Sequence, residues 1–303
     1  EREREREQGR THGSAFQRVP PRSDRERGRE TEDDLATALS GMSISAGRGR
    51  GSAEQHGVIQ QLLNLLQGGS VGVRLRSLAE LESIVMQRHS REGVDLWHHM
   101  FGQVLLALLD LVADQEPQVR MAVSDILCKL IMMHPQEFVD FLDIVVASLL
   151  QLFADEDPEV SKAADSALIQ LSKSLEPHLV FEVVHPFITS KHNANMDPVQ
   201  TRMLQGAVRL VARIVQRYTD RETLKNDVDK VIPGLVEAFQ SEVADLRKAV
   251  VFCLVDLYVH MGDDFTVHLQ HLTTSQIRLV THYVAKMHQK DKDTLNQSPP
   301  SKM

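Results

Sequence analysis

The residues Leu108–Leu130 read LLDLVADQEPQVRMAVSDILCKL, and Leu149–Leu171, which begin 41 positions later, read LLQLFADEDPEVSKAADSALIQL. The two windows are identical at ten positions. In each window, apolar residues at helical spacing lie on both sides of a short polar segment that contains a proline, Pro117 or Pro158. The stretch therefore predicts two amphipathic helices joined by a short turn, and its recurrence predicts that the fold repeats this pair.

The same helix pair recurs along most of the chain. A first-helix pattern of two apolar residues, two others, two apolar, two others and one apolar starts at Val58, Val104, Val145, Val180 and Val231. A second-helix pattern with its own offsets occupies Val119–Leu130, Val160–Leu171 and Leu246–Leu257, with less regular copies near Val73 and after Pro198. Because two independent patterns agree on one register, we predict about six helix pairs, the last of them abbreviated.

A helix–turn–helix period of roughly 40 to 47 residues is the signature of HEAT and armadillo solenoids. We therefore predict an all-α HEAT-repeat solenoid over residues 53–289. The composition of residues 1–52 predicts a disordered Arg/Gly/Ser-rich linker, and residues 290–303 predict a disordered C-terminal tail. Within the linker, Asp33–Met42 is either a short docking helix or a chance pattern. Because the chain starts at Glu1 without a methionine, we expect a fragment of a longer protein.

Charge and cysteine content argue against several classes of protein. The net charge is −8, and the first 52 residues hold eleven arginines against ten acidic residues, so the acidic excess belongs to the remainder. An acidic array argues against nucleic-acid binding, which needs a basic stripe. The two cysteines, Cys128 and Cys253, lie on predicted core faces, which favours reduced thiols in a cytosolic protein over a disulfide. No apolar run approaches the ~20 residues that span a bilayer, so we expect no membrane insertion.

Motifs that carry chemistry are few. His268 and His271 are spaced to share one helical face beside Asp263 and Asp264, but no third ligand at comparable spacing completes a metal site. We favour the alternative that both histidines are ordinary surface or partly buried residues. There is no glycine-rich phosphate loop and no nucleophile elbow, and Gly206 lies inside a predicted helix as a close-packing point. We therefore predict no enzyme, no catalytic residues, no metal and no cofactor.

In a HEAT stack, the loops that join the two helices of each pair line up along one edge and form an extended surface. Acidic residues such as Asp114, Asp155 and Glu242 fall in these loops. Basic residues follow at the start of the second helices, and six of them are candidates for partner binding: Arg74, Arg120, Lys162, Arg202, Arg247 and Lys248. The alternative is internal, since an acid six positions before an arginine, as in Asp114 and Arg120, is typical of a ladder between repeats.

The last repeats carry a more specific signal. The run LRKAVVFCLVDLY at Leu246–Tyr258 is followed by Gly262–Asp264, by His268–Leu272 and by a final helix that starts SQIRL at Ser275. This combination closely resembles the C-terminal TOG-like domain of the CLASP (CLIP-associating protein) microtubule regulators. The resemblance extends over roughly Gln55–Gln289. The arginine-rich segment before it is similar to the basic Ser/Arg-containing linkers of that family.

The resemblance implies a docking role more than direct binding to tubulin. Tubulin-binding TOG domains carry a tryptophan in the first intra-repeat loop and basic residues in the later loops. Here the loop at Gln67–Gly72 has no tryptophan, and the single tryptophan, Trp97, belongs to a helical stripe with Phe101. The second and third loops are acidic, and the surface of tubulin is acidic too, so like charges oppose docking. We therefore transfer no tubulin-binding residues to this chain.

The family's C-terminal domain implies the function that we expect, a non-catalytic docking domain of a stabilising protein of microtubule plus ends and kinetochores. The implied partners are adaptors, namely CLIP linker proteins, a kinetochore motor and cortical or Golgi anchors, with microtubules and tubulin reached through the full-length protein. The implied location is the cytoplasm and cytoskeleton, at plus ends, spindle and kinetochore, and at the cell cortex and Golgi. Two alternatives stay open: a direct TOG-type tubulin binder that promotes microtubule rescue, and a HEAT scaffold of an enzyme complex.

Overall fold

The computed structural model describes residues 52–86, 91–189 and 196–296, and these contain helices and no strand. The α-helices are α1 Ser52–Gly68, α2 Val71–Met86, α3 Arg91–Asp110, α4 Pro117–Met133, α5 Leu142–Phe153, α6 Pro158–Ser174, α7 Pro177–Thr189, α8 Pro198–Val215, α9 Arg221–Ala238, α10 Ala244–Met261, α11 Thr266–Leu269 and α12 Thr274–Asn296. Short 3-10 segments lie at Leu111–Ala113, Pro135–Phe141 and Gly262–Phe265. The predicted linker up to residue 51, with its Asp33–Met42 segment, and residues 297–303 of the predicted tail lie outside the described residues.

Consecutive helices pair, and the pairs stack in register. α1 packs on α2, α3 on α4, α5 on α6, α7 on α8 and α9 on α10. The second helices of the pairs pack on one another in sequence, from α2 through α4, α6 and α8 to α10. Among the first helices, α1 packs on α3, α5 on α7 and α7 on α9. This two-layer stack is the HEAT-type solenoid that the recurring helix pair predicts, so the predicted fold class is confirmed.

The apolar stripes of the sequence form the interior of the stack. Leu127 and Leu130 of α4 have no exposed surface, and neither do their counterparts Leu168 and Leu171 in α6. Trp97 of α3 is 3 % exposed and lies in the core. Its assignment to a buried helical stripe is therefore confirmed, and the indole is not available on a loop surface.

Two glycines mark places where neighbouring repeats approach too closely for a side chain. A Cβ added to Gly206 of α8 meets Cδ1 of Phe153 at 2.8 Å, which confirms the prediction of a close-packing point. A Cβ added to Gly234 of α9 meets the backbone oxygen of Ile188, at the end of α7, at 2.1 Å. Only glycine allows these helix surfaces to touch at their present separation.

Local chemistry explains where the second helices begin. Pro117, Pro158 and Pro198 are the first residues of α4, α6 and α8, a position at which the missing backbone N–H has no intrahelical partner to lose. Asp157 accepts hydrogen bonds from backbone N–H groups in the first turn of α6, and Asp197 forms a capping box at the start of α8. These caps fix the ends of the intra-repeat loops and the basic residues that follow them.

The last repeat is abbreviated, as the sequence predicts. α10 ends at Met261, and the capping residue Gly262 that follows has a φ of 63°, which suits a residue without a Cβ. The short helix α11 and the long helix α12 follow, and α12 packs on α10. The predicted domain limit at residue 289 falls inside α12, which continues to Asn296. Among the described helices, none combines the length and the apolar content that crossing a bilayer requires.

Candidate protein-docking surface

Two arginines connect the loop of one repeat to the loop of the next. Arg74 of α2 donates through Nη1 to the backbone oxygen of Gly69 at 2.7 Å, and its Nε and Nη2 lie 3.0 and 3.2 Å from the carboxylate oxygens of Asp114. Arg120 of α4 donates to the backbone oxygen of Asp114 at 2.7 Å and, through Nε and Nη2, to the carboxylate of Asp155 at 2.7 and 2.9 Å. We name Arg74, Asp114, Arg120 and Asp155 the inter-repeat ladder.

The ladder is one of the two interpretations of the basic residues, and the contacts between successive loops confirm it for Arg74 and Arg120. Arg120 contacts only the backbone oxygen of Asp114, the acid six positions before it. The carboxylate of Asp114 instead accepts from Arg74, one repeat earlier in the chain. Each of these two arginine side chains passes the backbone carbonyl groups of its own loop. Its planar guanidinium group then reaches the next loop and contacts both carboxylate oxygens of the aspartate there.

The ladder charges are held in a partly buried environment. The side chains of Arg120 and Asp155 are only 16 % and 11 % exposed. Burial acts to raise the pKa of Asp155, but the hydrogen bonds from Arg120 and from the backbone N–H of Asp157 outweigh it, so this pKa lies below its ordinary value. The hydrogen bond to Asp155 raises the pKa of Arg120. Arg120 and Asp155 therefore stay ionised and connect the second repeat, α3–α4, to the third repeat, α5–α6.

Among the described residues, the ladder does not continue in the same form beyond the α5–α6 repeat. Ser161 occupies the position that follows the first core residue of α6, and its Oγ donates to the backbone oxygen of Phe153 at 2.6 Å. In repeat five, Arg247 donates through Nη1 to the backbone oxygens of Ser241 and Glu242 at 2.6 and 2.8 Å, both in its own loop. Each side chain thus braces the loop before its helix, as Arg74 and Arg120 do.

The structure divides the six candidate partner-binding residues into two groups. Three are engaged in contacts within the fold: Arg74, Arg120 and Arg247. Of the others, Lys162 is 76 % exposed and lies 3.4 Å from Glu159, and Lys248 is exposed. Arg202 is half-buried, and its Nε has no hydrogen-bond partner in the part of the chain that the structure describes. Binding of a partner to these residues stays a prediction.

A buried carboxylate at the junction of repeats four and five is a feature that sequence reasoning missed. Asp227 of α9 is 1 % exposed at its side chain. Tyr218, in the loop before α9, donates its hydroxyl to Oδ2 of Asp227 at 2.6 Å, and Nδ1 of His178 in α7 lies 2.8 Å from the same oxygen. Lys230 donates to Oδ1 of Asp227 at 3.0 Å and to Glu182 of α7 at 2.5 Å. We name these five residues the Asp227 cluster.

The three donors keep Asp227 ionised inside the junction. Burial acts to raise the pKa of Asp227, but the hydrogen bonds from Tyr218, His178 and Lys230 outweigh it, and the pKa lies below its ordinary value. Burial and the neighbouring carboxylate together raise the pKa of the Tyr218 hydroxyl. A buried carboxylate with this many donors stabilises the junction only while it carries its charge.

Part of this cluster has the geometry of a cation site. One ligand atom each from His178, Glu182 and Asp227 lies within 4.8 Å of the others, a spacing that a divalent ion accepts. The ammonium group of Lys230 donates to both carboxylates and so takes the place between them. Because the lysine already balances the carboxylate charge, we interpret the cluster as a polar junction between repeats.

The histidine pair that the sequence singled out does not assemble with its neighbouring acids. His268 is 8 % exposed, and its Nε2 lies 3.5 Å from Asp229 of α9. Burial lowers the pKa of His268, and Asp229 opposes that change. His271 is exposed. Among the described residues, neither histidine belongs to a group of three metal-ligating side chains.

The stacked helix pairs and the ladder place the chain in the class of HEAT-type α-solenoids. A family model described as "Stalled ribosome sensor GCN1-like, HEAT repeats" matches residues 36–206, which is more than half of the chain. The chain therefore belongs to this HEAT-repeat family.

The relatives indicate which HEAT-repeat proteins the chain is similar to. A CLIP-associated protein of Arabidopsis thaliana is 26% identical over 231 residues, which is 76% of this chain and 15% of the relative. CLIP-associating protein 1-A of Xenopus laevis is 25% identical over 236 residues, which is 78% of this chain and 15% of the relative. The chain thus spans about 15% of the length of these curated relatives.

Solved structures share the fold. A chain from a structure of microtubule plus-end tracking by XMAP215, CLIP-170 and EB1 superposes with a TM-score of 0.61 at 18% identity, over 74% of this chain and 89% of that one. A chain from the crescerin TOG array gives 0.57 at 17% identity, over 75% and 88%. The chain is thus similar in sequence to CLIP-associating proteins and in fold to chains from TOG-domain proteins. Its position within a longer protein stays a prediction.

Proposed function

We propose that the chain is a non-catalytic docking domain of a microtubule-associated protein and that it recruits protein adaptors such as CLIP linker proteins and kinetochore motors. Support comes from relatives that are named CLIP-associating proteins and from neighbours that contain TOG domains. The same relatives support a cytoplasmic, cytoskeletal location. We extend the proposal to microtubule plus ends, spindle and kinetochore, and to anchors at the cell cortex and Golgi.

The charge at the edge formed by the intra-repeat loops is the observation that favours adaptor docking over tubulin binding. Arg74 and Arg120 are each neutralised by a ladder aspartate, and neither is free to meet an acidic surface. The neighbouring loop residues Glu116 and Glu156 are exposed. Trp97 lies in the core instead of on a loop. An edge with this charge disfavours the broadly acidic surface of tubulin and leaves its exposed lysines for a smaller acidic segment of an adaptor.

Direct tubulin binding is the second candidate, since several fold neighbours come from TOG proteins that act on microtubules or recruit tubulin. Size-exclusion chromatography of the chain with purified tubulin heterodimer at micromolar concentration separates the two proposals. Docking predicts that the chain elutes at its own volume, apart from tubulin. Co-elution in one peak would favour the tubulin binder and refute our preference.

The adaptor site that we propose uses the exposed cations at the start of the second helices, Lys162 and Lys248. A double charge reversal, Lys162→Glu with Lys248→Glu, is expected to weaken capture of a CLIP linker protein several-fold, because both side chains reach solvent. Capture by the immobilised chain is measured next to circular dichroism. The matched control reverses two exposed lysines on other helices, Lys225 of α9 and Lys286 of α12. Equal capture by all variants would remove Lys162 and Lys248 from the site.

A further inference from the structure

The second helix of repeat four differs from the rest of the chain in charge. α8 carries Arg202, Arg209 and Arg213 and no acidic residue, within a chain whose net charge is −8. Their spacing of i, i+7 and i+11 places the three arginines on one face of the helix. α8 packs against α6, whose first turns carry the exposed Lys162. We name Arg202, Arg209, Arg213 and Lys162 the α8 basic face.

A single carboxylate serves two of these guanidinium groups. Nη2 of Arg213 lies 2.9 Å from Oδ1 of Asp165 in α6, and Nη2 of Arg209 lies 3.4 Å from Oδ2 of the same residue. One positive charge is therefore in excess at this point. Arg209 is 41 % exposed, and its guanidinium carbon lies 5.4 Å from the ring centroid of Phe153. The ring supports the flat guanidinium group in a position from which it faces solvent.

Two donors of the same face have no acceptor in the described part of the chain. Nε of Arg202 and Nη1 of Arg213 are buried and lack a hydrogen-bond partner there. Both atoms are closed to solvent, so they indicate that the charges of Arg202 and Arg213 are only partly compensated within the described fold. Contact with a ligand falls to the parts of these two side chains that remain exposed.

Helix stability explains only part of this arrangement. Arg213 lies in the last turn of α8, where a cation is stabilised by the helix dipole. Arg202 lies near the opposite end, where the dipole offers a cation no stabilisation. Arg209 shares its carboxylate with Arg213, at the longer distance of the two, and its side chain remains 41 % exposed. Arg202 lies close enough to Asp155 to lower the pKa of that carboxyl group, but both carboxylate oxygens of Asp155 already accept hydrogen bonds from Arg120. Arg202 and Arg209 therefore keep positive charge that a bound anion can balance.

We propose that the α8 basic face binds an acidic peptide segment of a partner, an inference that rests on the proposed docking function. Along α8, Arg202 and Arg209 are about 10 Å apart and Arg209 and Arg213 about 6 Å apart. An extended peptide advances about 3.3 Å per residue, so carboxylates about three and two residues apart match the three guanidinium groups. A segment of about six residues is long enough to cover the face.

The acids on this face select a peptide over a polyphosphate. Asp165 lies between Arg209 and Arg213, and Glu159 lies 3.4 Å from Lys162. A nucleic acid presents a continuous row of phosphates and meets repulsion from these carboxylates. Separately spaced glutamates contact the arginines and leave room for the two acids.

The test measures binding of a fluorescently labelled glutamate-rich peptide to the whole chain by anisotropy at low salt. A glutamine peptide of the same length and a short single-stranded RNA serve as comparison ligands. We expect binding of the glutamate peptide only, with affinity that falls as salt rises. Arg209→Glu is expected to weaken binding about tenfold and Arg209→Lys about twofold. Lys225→Glu, which makes the same charge change on α9, is expected to bind like the unchanged chain.

The proposal is overturned if glutamate and glutamine peptides bind equally, if RNA binds and the glutamate peptide does not, or if Arg209→Glu and Lys225→Glu weaken binding by the same factor. The docking function is tested separately by capture of a CLIP linker protein. Capture without glutamate-peptide binding refutes the acidic-peptide site and leaves docking intact. Peptide binding without capture refutes the docking function with that adaptor.

Discussion

At the scale of single residues, the interior of the stack depends on side chains such as Leu127 that have no exposed surface. Leu127→Ala removes buried carbon atoms from α4, and the leucines around it are held by helices that cannot close the gap. We expect the free energy of unfolding to fall by ~2 to 5 kcal/mol, measured by urea denaturation. Leu106 of α3 is 51 % exposed, so Leu106→Ala is the matched control and is expected to lose less than ~1 kcal/mol. Equal losses would mean that Leu127 is not an interior residue.

At the same residue scale, Asp227 makes the stability of the fold depend on pH. Its pKa in the folded chain lies below the value of about 3.9 that an unperturbed aspartate has, so the ionised form stabilises the fold. This contribution is complete above about pH 4 and is lost as the pH falls through the lower, folded value. Asp227→Asn is therefore expected to lower the free energy of unfolding by ~1 to 3 kcal/mol at pH 7, with the difference shrinking towards pH 2.

Urea midpoints of the unchanged chain and of Asp227→Asn, taken at several pH values, measure this difference directly. Asp110→Asn is the matched control, because Asp110 is exposed at the end of α3 and its replacement removes a carboxylate without changing a buried junction. A difference between Asp227→Asn and the unchanged chain that stays constant from pH 7 to pH 2 would show that the charge of Asp227 is not what stabilises the junction.

At the scale of helices, α9 packs as closely on α7 as it does because Gly234 has no side chain. Gly234→Ala places a Cβ 2.1 Å from the backbone oxygen of Ile188, and a backbone atom cannot rotate away as the end of a side chain does. We expect a loss of at least ~2 kcal/mol in the free energy of unfolding. A Cβ added to Gly57 of α1 meets no atom within 4 Å, so Gly57→Ala is expected to stabilise by ~0.5 to 1 kcal/mol through helix propensity. Thermal denaturation of both variants, with melting temperatures that move in opposite directions, checks the prediction.

Helix pairs and their interior faces are the part of the fold that the sequence predicts well. Residues such as Leu127 and Leu168 recur because each repeat buries the same stripe against its neighbours, and burial restricts the choice of side chain strongly. The ladder is predicted less completely. That acids and arginines meet at the loops follows from charge, but the choice of Asp155 as the partner of Arg120 depends on the distance between stacked loops, which no local pattern contains.

At the scale of the whole stack, the ladder couples repeats one to three. A double-mutant cycle with Arg120→Ala and Asp155→Ala is expected to give a coupling energy of ~0.5 to 3 kcal/mol, because the fork and the carboxylate are both partly buried. The pair Lys162 and Glu159 lies within one helix and is exposed, so the same cycle on it is expected to give a coupling close to zero. Urea denaturation of the variants supplies both energies. Equal couplings would show that the ladder contributes no more than a surface ion pair.

The Asp227 cluster shows why the candidate site was predicted only in part. Its members lie on α7, on the loop before α9 and on α9 itself, and they meet only when repeats four and five stack. In the sequence, Asp227 stands among other polar residues of a helix and carries no mark of burial. The six basic candidates are found from the sequence because all of them lie near the start of a second helix, whereas the Asp227 cluster occurs once and has no periodicity.

The ladder also limits which duplications or deletions of sequence a protein of this kind tolerates. Each arginine takes its carboxylate from the following unit, and Asp114 and Asp155 occupy equivalent places 41 residues apart. Excision of one complete unit would bring Asp155 to the place of Asp114 and offer it to Arg74. An excision of any other length would leave an arginine facing the wrong group. Gain and loss in whole units is thus the route that keeps the charges matched.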